Sequence, residues 1–130
     1  MNSSVFKKAV LAAAVAAIPA GAALAHHSFA SEFDRDQPFE IEGTVNEVEW
    51  TNPHGWLHVD VEEDGETVTY ELELASPSTL MRRGFRHTDL TPGEVIKVTG
   101  FRARTRFHVG RAASINRENG EGVWNMGLED

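Results

Sequence analysis

Two short segments of the chain alternate strictly between apolar and polar residues, and a two-residue turn signal separates them. Leu57, Val59 and Val61 fall on one face of the first segment. The second segment has the clearest face in the chain, formed by its alternate residues Val68, Tyr70, Leu72 and Leu74. Because successive side chains of a strand point to opposite faces, this pattern predicts two strands that each bury one face. Asp64-Gly65 between them predicts a tight antiparallel hairpin.

The segment before this hairpin predicts a long first strand with an irregularity. Residues 39–50 alternate at first through Phe39, Ile41 and Val45, but the apolar positions resume one step out of phase at Val48. A bulged or bent strand produces such a shift, because one extra residue reverses the face on which the following side chains lie. Residues 51–55 have the composition of a loop.

A short helix and two further strands complete the predicted order. Ser76 occupies the N-cap position of the helix, Pro77 its first turn and Gly84 its C-terminal stop. Strands are predicted over residues 94–101 and 109–115. The predicted class is therefore all-β with one short helix, and the order of elements resembles a five-stranded OB-fold-like small barrel. An open, sandwich-like sheet is the alternative, although closure would remove the exposed sheet edges.

The first 25 residues have the composition of a secretory signal peptide. Lys7 and Lys8 precede an apolar run over residues 9–18, and small residues follow it up to Ala25. This run is too short to cross about 30 Å of hydrocarbon. We therefore expect a periplasmic or secreted protein that is soluble after cleavage and has no membrane span. The rest of the chain is divided into an OB-like domain, residues 26–117, and a C-terminal tail, residues 118–130.

The charges of the chain are unbalanced and segregated. The full sequence carries 20 Asp and Glu against 12 Lys and Arg, and its formal charge is −8. Residues 26–80 contain 14 acidic residues and one basic residue, whereas residues 81–130 contain nine basic and six acidic residues. We expect the two halves to pair and partly cancel; an acidic, cation-attracting face beside an arginine-rich rim is the alternative. The acidic excess and the predicted export argue against a nucleic-acid partner.

Six histidines and no cysteine restrict any metal ligands to nitrogen and oxygen. Cleavage after Ala25 would make His26 the first residue, so that its free amine and imidazole could chelate one metal ion. A third nitrogen from a distant histidine would complete the arrangement known as a histidine brace, which suits Cu(II). Cleavage after Ala23 would make His26 the third residue, an arrangement that also takes up Cu(II). Cleavage after Ala22 would produce neither of these two Cu(II)-binding arrangements. A frayed polar terminus is the alternative interpretation.

A second group of candidate ligands lies around the first hairpin loop. His54 is the better ligand candidate because a loop can aim its side chain, whereas His58 lies within the second strand. We expect His58 to hydrogen-bond with Glu71 or Glu73, and an ordinary solvent-facing strand is the alternative. The predicted metal ligands are therefore His26, His27, His54 and Glu73, with His58 as a weaker candidate and copper as the first candidate cofactor.

No catalytic residue is predicted, because the serines lack the sequence context of a nucleophile elbow and no phosphate-binding glycine loop occurs. Trp56, Arg102 and Arg104 form a predicted ligand-binding surface, because the loops of OB-folds often hold ligands. The sequence therefore supports two functions: a metal-binding protein, or a metal-free module that binds a ligand or a protein through this surface. An exported or membrane-associated protein is the candidate partner.

Short motifs in the chain resemble those of an uncharacterised family of small exported bacterial proteins. The motifs are His26-His27-Ser28-Phe29-Ala30, Phe33-Asp34, Trp50-Thr51-Asn52-Pro53-His54, Glu73-Leu74-Ala75-Ser76-Pro77, Arg83-Gly84 and Pro92-Gly93-Glu94. The resemblance covers nearly the whole chain after the signal and implies an OB-like domain of unknown function.

The same motifs rank the candidate ligands. They include His26, His27, His54 and Glu73, and they leave out His58, His87 and His108. Residues 105–108 depart from the polar loop that is usual in the family, so the resemblance assigns no role to His108.

Overall fold

Six β-strands carry the fold in the computed structural model, which describes residues 29–126. A helical turn at residues 29–32 precedes the first strand. The elements are β1 (Phe33–Glu49), β2 (Trp56–Glu63), β3 (Glu66–Glu73), α1 (Pro77–Arg82), β4 (Val95–Ala103), β5 (Val109–Arg117) and β6 (Gly122–Asn125). No helix within this part of the chain is long and apolar enough to cross a membrane.

The first five strands form a partly closed ring. The strand order is β3-β2-β1-β4-β5-β6, and an additional parallel pairing joins β3 to the start of β5. The other strand pairs are antiparallel. This is the OB-like barrel that the order of elements predicts. The structure has six strands rather than the predicted five, because β6 pairs with β5 beyond the point where β3 leaves it.

The predicted irregularity of the first strand is confirmed. The register of β1 against β2 shifts between Val45 and Glu47, which is the signature of a bulge. Just before it, a Cβ added at Gly43 would lie 2.4 Å from the carbonyl oxygen of Asp60. Glycine therefore permits the close approach of β1 and β2 at the bend.

The helix begins and ends where local sequence signals predict. Ser76 Oγ accepts a hydrogen bond of 3.3 Å from the backbone N–H of Thr79, so Ser76 is the N-cap. Gly84 follows the helix with φ of +84°, a conformation that favours glycine. Leu80 of α1 is fully buried in the barrel core. The helix, which lies between β3 and β4 in the chain, thus contributes to the barrel core.

The predicted hairpin faces also form the core. Leu57, Val59, Leu72 and Leu74 are fully buried, and Tyr70 is nearly so. The hairpin turn at Asp64-Gly65 is confirmed, with positive φ at both residues.

The segment predicted as a C-terminal tail contributes to the same core. Trp124 and Met126 are buried within it. The guanidinium of Arg83 lies over the Trp124 ring, and it also donates a hydrogen bond to the carbonyl oxygen of Met126. These contacts join β6 to the end of α1.

Ion pairs join the acidic first half of the chain to the basic second half, as expected. The basic members all lie in the hairpin of β4 and β5. The pairs are Lys97–Glu42, Arg104–Asp34, Arg106–Glu71 and Arg111–Glu73. The segregated charges of the sequence therefore meet across neighbouring strands.

Candidate functional site

The loop between β1 and β2 places His54 against the end of β3. His54 Nδ1 lies 3.0 Å from Glu73 Oε1. Two backbone hydrogen bonds hold the loop there, because Gly55 N donates to Ala75 O and Leu74 N donates to Gly55 O. Two of the predicted metal ligands, His54 and Glu73, are therefore in contact.

Glu73 is a buried carboxylate, and the sequence analysis missed its principal partner. The residue is only 4% exposed. Arg111 lies opposite it in the parallel pairing of β3 with β5, and the two side chains form an ion pair. Arg111 also donates a hydrogen bond of 3.1 Å to Leu74 O. Its buried Nε has no hydrogen-bond partner among the described residues.

This arrangement determines which imidazole nitrogen of His54 can act as a ligand. Glu73 pairs with a permanently charged guanidinium, and an ionised carboxylate can only accept hydrogen bonds. We therefore assign the proton of a neutral His54 to Nδ1, which faces Glu73, and the lone pair to Nε2. The side chain of His54 is 43% exposed. A metal ion or another acceptor of a lone pair can thus reach the imidazole from solvent.

Glu73 is better suited to orient His54 than to bind a metal ion itself. Its Oε1 already contacts both His54 and Arg111. Carboxylates that hold the second ring nitrogen of a ligating histidine fix the tautomer and the orientation of the ring. Within residues 29–126, no three His, Asp or Glu side chains are grouped to hold a metal ion. His26 and His27 lie outside the described residues.

His58 has a partner that differs from the expected one. It lies opposite Glu71 in β3, yet its Nε2 lies 3.4 Å from Oε2 of Glu49 in β1. The prediction of a bond to Glu71 or Glu73 was wrong, because these two carboxylates pair with Arg106 and Arg111.

A hydrogen-bonded cluster surrounds Asp60 on the outer face of β2. Thr69 Oγ1 donates to Asp60 Oδ1 at 2.7 Å, and Asn46 Nδ2 donates to Asp60 Oδ2 at 2.9 Å. Both bonds lower the pKa of the Asp60 carboxyl, and the bond from Thr69 has the larger effect. Both carboxylate oxygens of Asp60 therefore accept hydrogen bonds within the sheet surface. His54 remains the candidate ligand whose side chain is exposed to solvent.

The predicted ligand-binding residues lie in two places. Trp56 is half-buried at the start of β2, between Glu49 and Glu73 in the neighbouring strands. Arg102 lies over the ring of Phe39. The hydrogen bond from Tyr70 lowers the pKa of Glu63, the last residue of β2, and the charge of Arg102 adds a smaller effect in the same direction. Trp56 and Arg102 are therefore near opposite ends of β2.

Arg104 is anchored to the start of the described chain. Its Nε donates a hydrogen bond of 3.0 Å to Ala30 O, and one terminal nitrogen lies 3.2 Å from Asp34 Oδ2. Arg104 and Arg102 line one cavity at the loop between β4 and β5. Arg102 and Arg104 therefore belong to a cavity whose lining does not include Trp56.

A further group of titratable side chains lies near this loop. Tyr70 donates a hydrogen bond to Glu63, and His108 Nε2 lies 3.4 Å from Glu63 Oε2. The hydrogen bond from Tyr70 lowers the pKa of Glu63. The pKa of Tyr70 is raised, mainly by burial and also by this hydrogen bond. Sequence alternation identifies Tyr70 only as a core residue, because it carries no information on what meets the hydroxyl at the end of the barrel.

Comparison with known proteins gives one family match. The sequence model of the DUF6152 family, which is described as a family of unknown function, matches residues 13–112. This range includes His54, Glu73 and Arg111, and it ends before β6. No curated protein and no solved structure matches the chain.

Proposed function

The chain belongs to the DUF6152 family, whose function is unknown, and we propose that it is an exported protein that binds a transition metal ion, copper first. The ligands are the free amine and imidazole of His26 after signal cleavage, together with Nε2 of His54. His27 is a further ligand candidate. The protein carries, sequesters or delivers the ion in the periplasm or outside the cell.

The contact between His54 and Glu73 is the observation that carries this proposal. Nδ1 of the exposed imidazole faces a buried carboxylate at 3.0 Å, which directs Nε2 away from that carboxylate. Such a carboxylate–histidine pair is the usual support of a metal-binding histidine. Arg111 holds the carboxylate in place from the other side.

A row of side chains connects this pair to the start of the described chain. Glu73 lies opposite Arg111 in β5, and Arg111 lies opposite Phe101 in β4, so the three share the outer face. Phe29 packs edge-on against Phe101, with 6.3 Å between ring centroids. Two strand spacings amount to about 10 Å. His26 precedes Phe29 by three residues, a segment that spans up to about 10 Å. A joint site with His54 therefore requires this segment to run from Phe29 towards β5.

Copper is preferred because of the ligand chemistry. Amine and imidazole nitrogens suit Cu(II) in square-planar or tetragonal geometry, and Cu(II) has the highest affinity among the divalent first-row metals. Export supports the same choice, since the free amine of His26 arises only when the signal peptide is removed.

The test requires the native amino terminus. The protein is expressed with its own signal, the mature mass is determined, and Cu(II) is titrated with electron paramagnetic resonance as the readout. We expect a nitrogen-rich site that is lost in His54→Ala and retained in His87→Ala, a histidine outside the proposed site.

A second variant tests the amino terminus specifically. One extra glycine before His26 displaces the free amine and leaves the folded domain unchanged. We expect Cu(II) affinity to fall and the spectrum to change. Equal affinity with and without the glycine would overturn the role of the His26 amine, and full affinity in His54→Ala would remove His54 from the site.

A further inference from the structure

The hairpin of β4 and β5 carries basic side chains and no acidic ones of its own. Residues 95–117 contain six Lys and Arg and no Asp or Glu, although the chain as a whole is acidic. Arg102, Arg104 and Arg106 alternate through the end of β4 and the following loop. We call residues 102–109 the arginine loop.

A cavity of about 390 Å³ opens at the arginine loop. Its lining includes the three arginines, Phe107, His108 and Gln37, and none of the described residues that line it is acidic. This volume lies within the range of about 300–1,000 Å³ that is typical of small-molecule sites. The cavity is therefore large enough for a small ligand and cationic in its lining.

Two of the arginines are held in position and retain further donors. Arg104 uses Nε for Ala30 O and one terminal nitrogen for Asp34, while Arg106 contacts Glu71 at 2.8 Å. A guanidinium has five N–H donors in a planar fork, so both retain donors beyond these contacts. The carboxylates fix the arginines at the edges of the cavity, which reduces the ordering that a ligand would require.

Phe107 adds an apolar surface beside these cations. Its side chain is 93% exposed, in the loop between Arg106 and His108. The other large apolar side chain that is exposed in the described chain is Met81 of α1, at 57%. An aromatic ring next to guanidinium groups can contact the apolar part of a ligand whose anionic part binds the arginines.

We propose that the arginine loop binds an amphiphilic phosphate, with its phosphate on the arginines and its apolar substituent against Phe107. Phosphate is preferred to a carboxylate because its three terminal oxygens can accept hydrogen bonds from more than one guanidinium. The soluble phosphomonoester and the headgroup of phosphatidic acid, which is also a phosphomonoester, share this chemistry. The site is separate from the His54 site and does not depend on metal binding.

Titration of the mature protein with phenyl phosphate tests the site. Inorganic phosphate serves as the anion alone, and benzyl alcohol as the apolar ring alone. With backbone amide shifts as the readout, phenyl phosphate is expected to move residues 102–109 most, inorganic phosphate less and benzyl alcohol least. The absence of shifts in this loop, together with the absence of vesicle binding, would overturn the proposal.

Matched variants separate specific binding from general charge effects. Arg106→Gln is expected to weaken phenyl phosphate binding about tenfold, the loss of one charge-assisted hydrogen bond. Lys97→Gln is the control, because Lys97 also forms an exposed ion pair in the same hairpin. An equal loss in both variants would show that only net charge matters and would overturn the assignment.

The apolar contact has its own variants. Phe107→Ser is expected to weaken phenyl phosphate binding while inorganic phosphate binding stays unchanged, and Met81→Ser is expected to change neither. Equal effects of Phe107→Ser on both anions would contradict the contact with Phe107.

Vesicles identify the source of the phosphate. Sedimentation with phosphatidic acid vesicles but not phosphatidylcholine vesicles, lost in Arg106→Gln and Phe107→Ser, would support the proposal with a lipid headgroup as ligand. Binding of phenyl phosphate without vesicle binding would support it with a soluble ligand. Vesicle binding that survives both substitutions, without amide shifts in the loop, would overturn it.

Discussion

Glu73 at the end of β3 and Arg111 near the start of β5 form a mostly buried ion pair across the parallel strand pairing that closes the ring. The pair stands directly behind His54, so the same carboxylate contributes to barrel closure and to the orientation of the loop histidine. A mutation at this position therefore affects stability and metal binding through different partners.

Removal of the cation should destabilise the fold strongly. Arg111→Met leaves Glu73 buried without its counter-charge, and we expect the free energy of unfolding in urea to fall by about 3–5 kcal/mol. The double variant Glu73→Gln, Arg111→Met should recover part of this loss, because no uncompensated charge remains. Arg106→Met is the matched control; its exposed ion pair with Glu71 should contribute at most about 1 kcal/mol. Similar losses in both single variants would contradict the role assigned to burial.

Glu73 should also control copper affinity through His54. Glu73→Gln removes the charge that fixes the proton on Nδ1, and the Cu(II) affinity of the mature protein should fall about 10- to 100-fold. Glu71→Gln, two residues earlier on the same strand, should leave the affinity unchanged. Circular dichroism and thermal unfolding check that both variants are folded. Unchanged affinity in folded Glu73→Gln would show that His54, if it binds copper, does so without this carboxylate.

The Tyr70–Glu63 hydrogen bond should be visible in an acid titration. The bond lowers the pKa of Glu63 below its ordinary value of 4.5, so it stabilises the fold above that pH. This stabilisation should be lost as pH falls through the lowered pKa. In Tyr70→Phe the pKa of Glu63, measured by carbon-13 NMR, should rise towards 4.5, and the difference in stability from wild type should shrink in acid. An unchanged pKa would show that the hydroxyl does not hold Glu63 in solution.

The last strand should be essential to the core. Trp124→Ala should lower the free energy of unfolding by about 3–5 kcal/mol, because a large aromatic side chain is lost from a packed interior. Glu118→Ala, in the exposed turn before β6, should change it by less than about 0.5 kcal/mol. Equal stability of Trp124→Ala and wild type would contradict the packing of β6 on the barrel.

Local chemistry made much of the fold predictable. The alternation in β2 and β3 identifies their buried faces because strand side chains have a period of two, whatever the rest of the chain does. Asp64-Gly65 and Ser76 act within a few residues of themselves, as a turn and a helix cap. β6 escaped prediction because its four residues are too few for a periodic signal and lie among glycine and acidic residues.

The candidate site was only partly predictable for the same reason. His54 and Glu73 could be selected by residue type, by their places in a loop and a strand, and by the resemblance to a family. Arg111 could not, since the parallel register of β3 and β5 joins residues that are far apart in the chain. Nor could Phe101, which together with Arg111 and Phe29 links the start of the described chain to this site.

The sequence by itself therefore determined the strands, the helix cap and the residue types available for binding, because these follow from local periodicity and side-chain chemistry. Only the tertiary structure decided which nitrogen of His54 faces a carboxylate and which arginines share a cavity. Closing the ring brings β3 against β5, and burial then makes the pairing of Glu73 with Arg111 obligatory. Such ion-pair partners depend on the register between strands that are distant in the chain, and no local sequence pattern encodes that register.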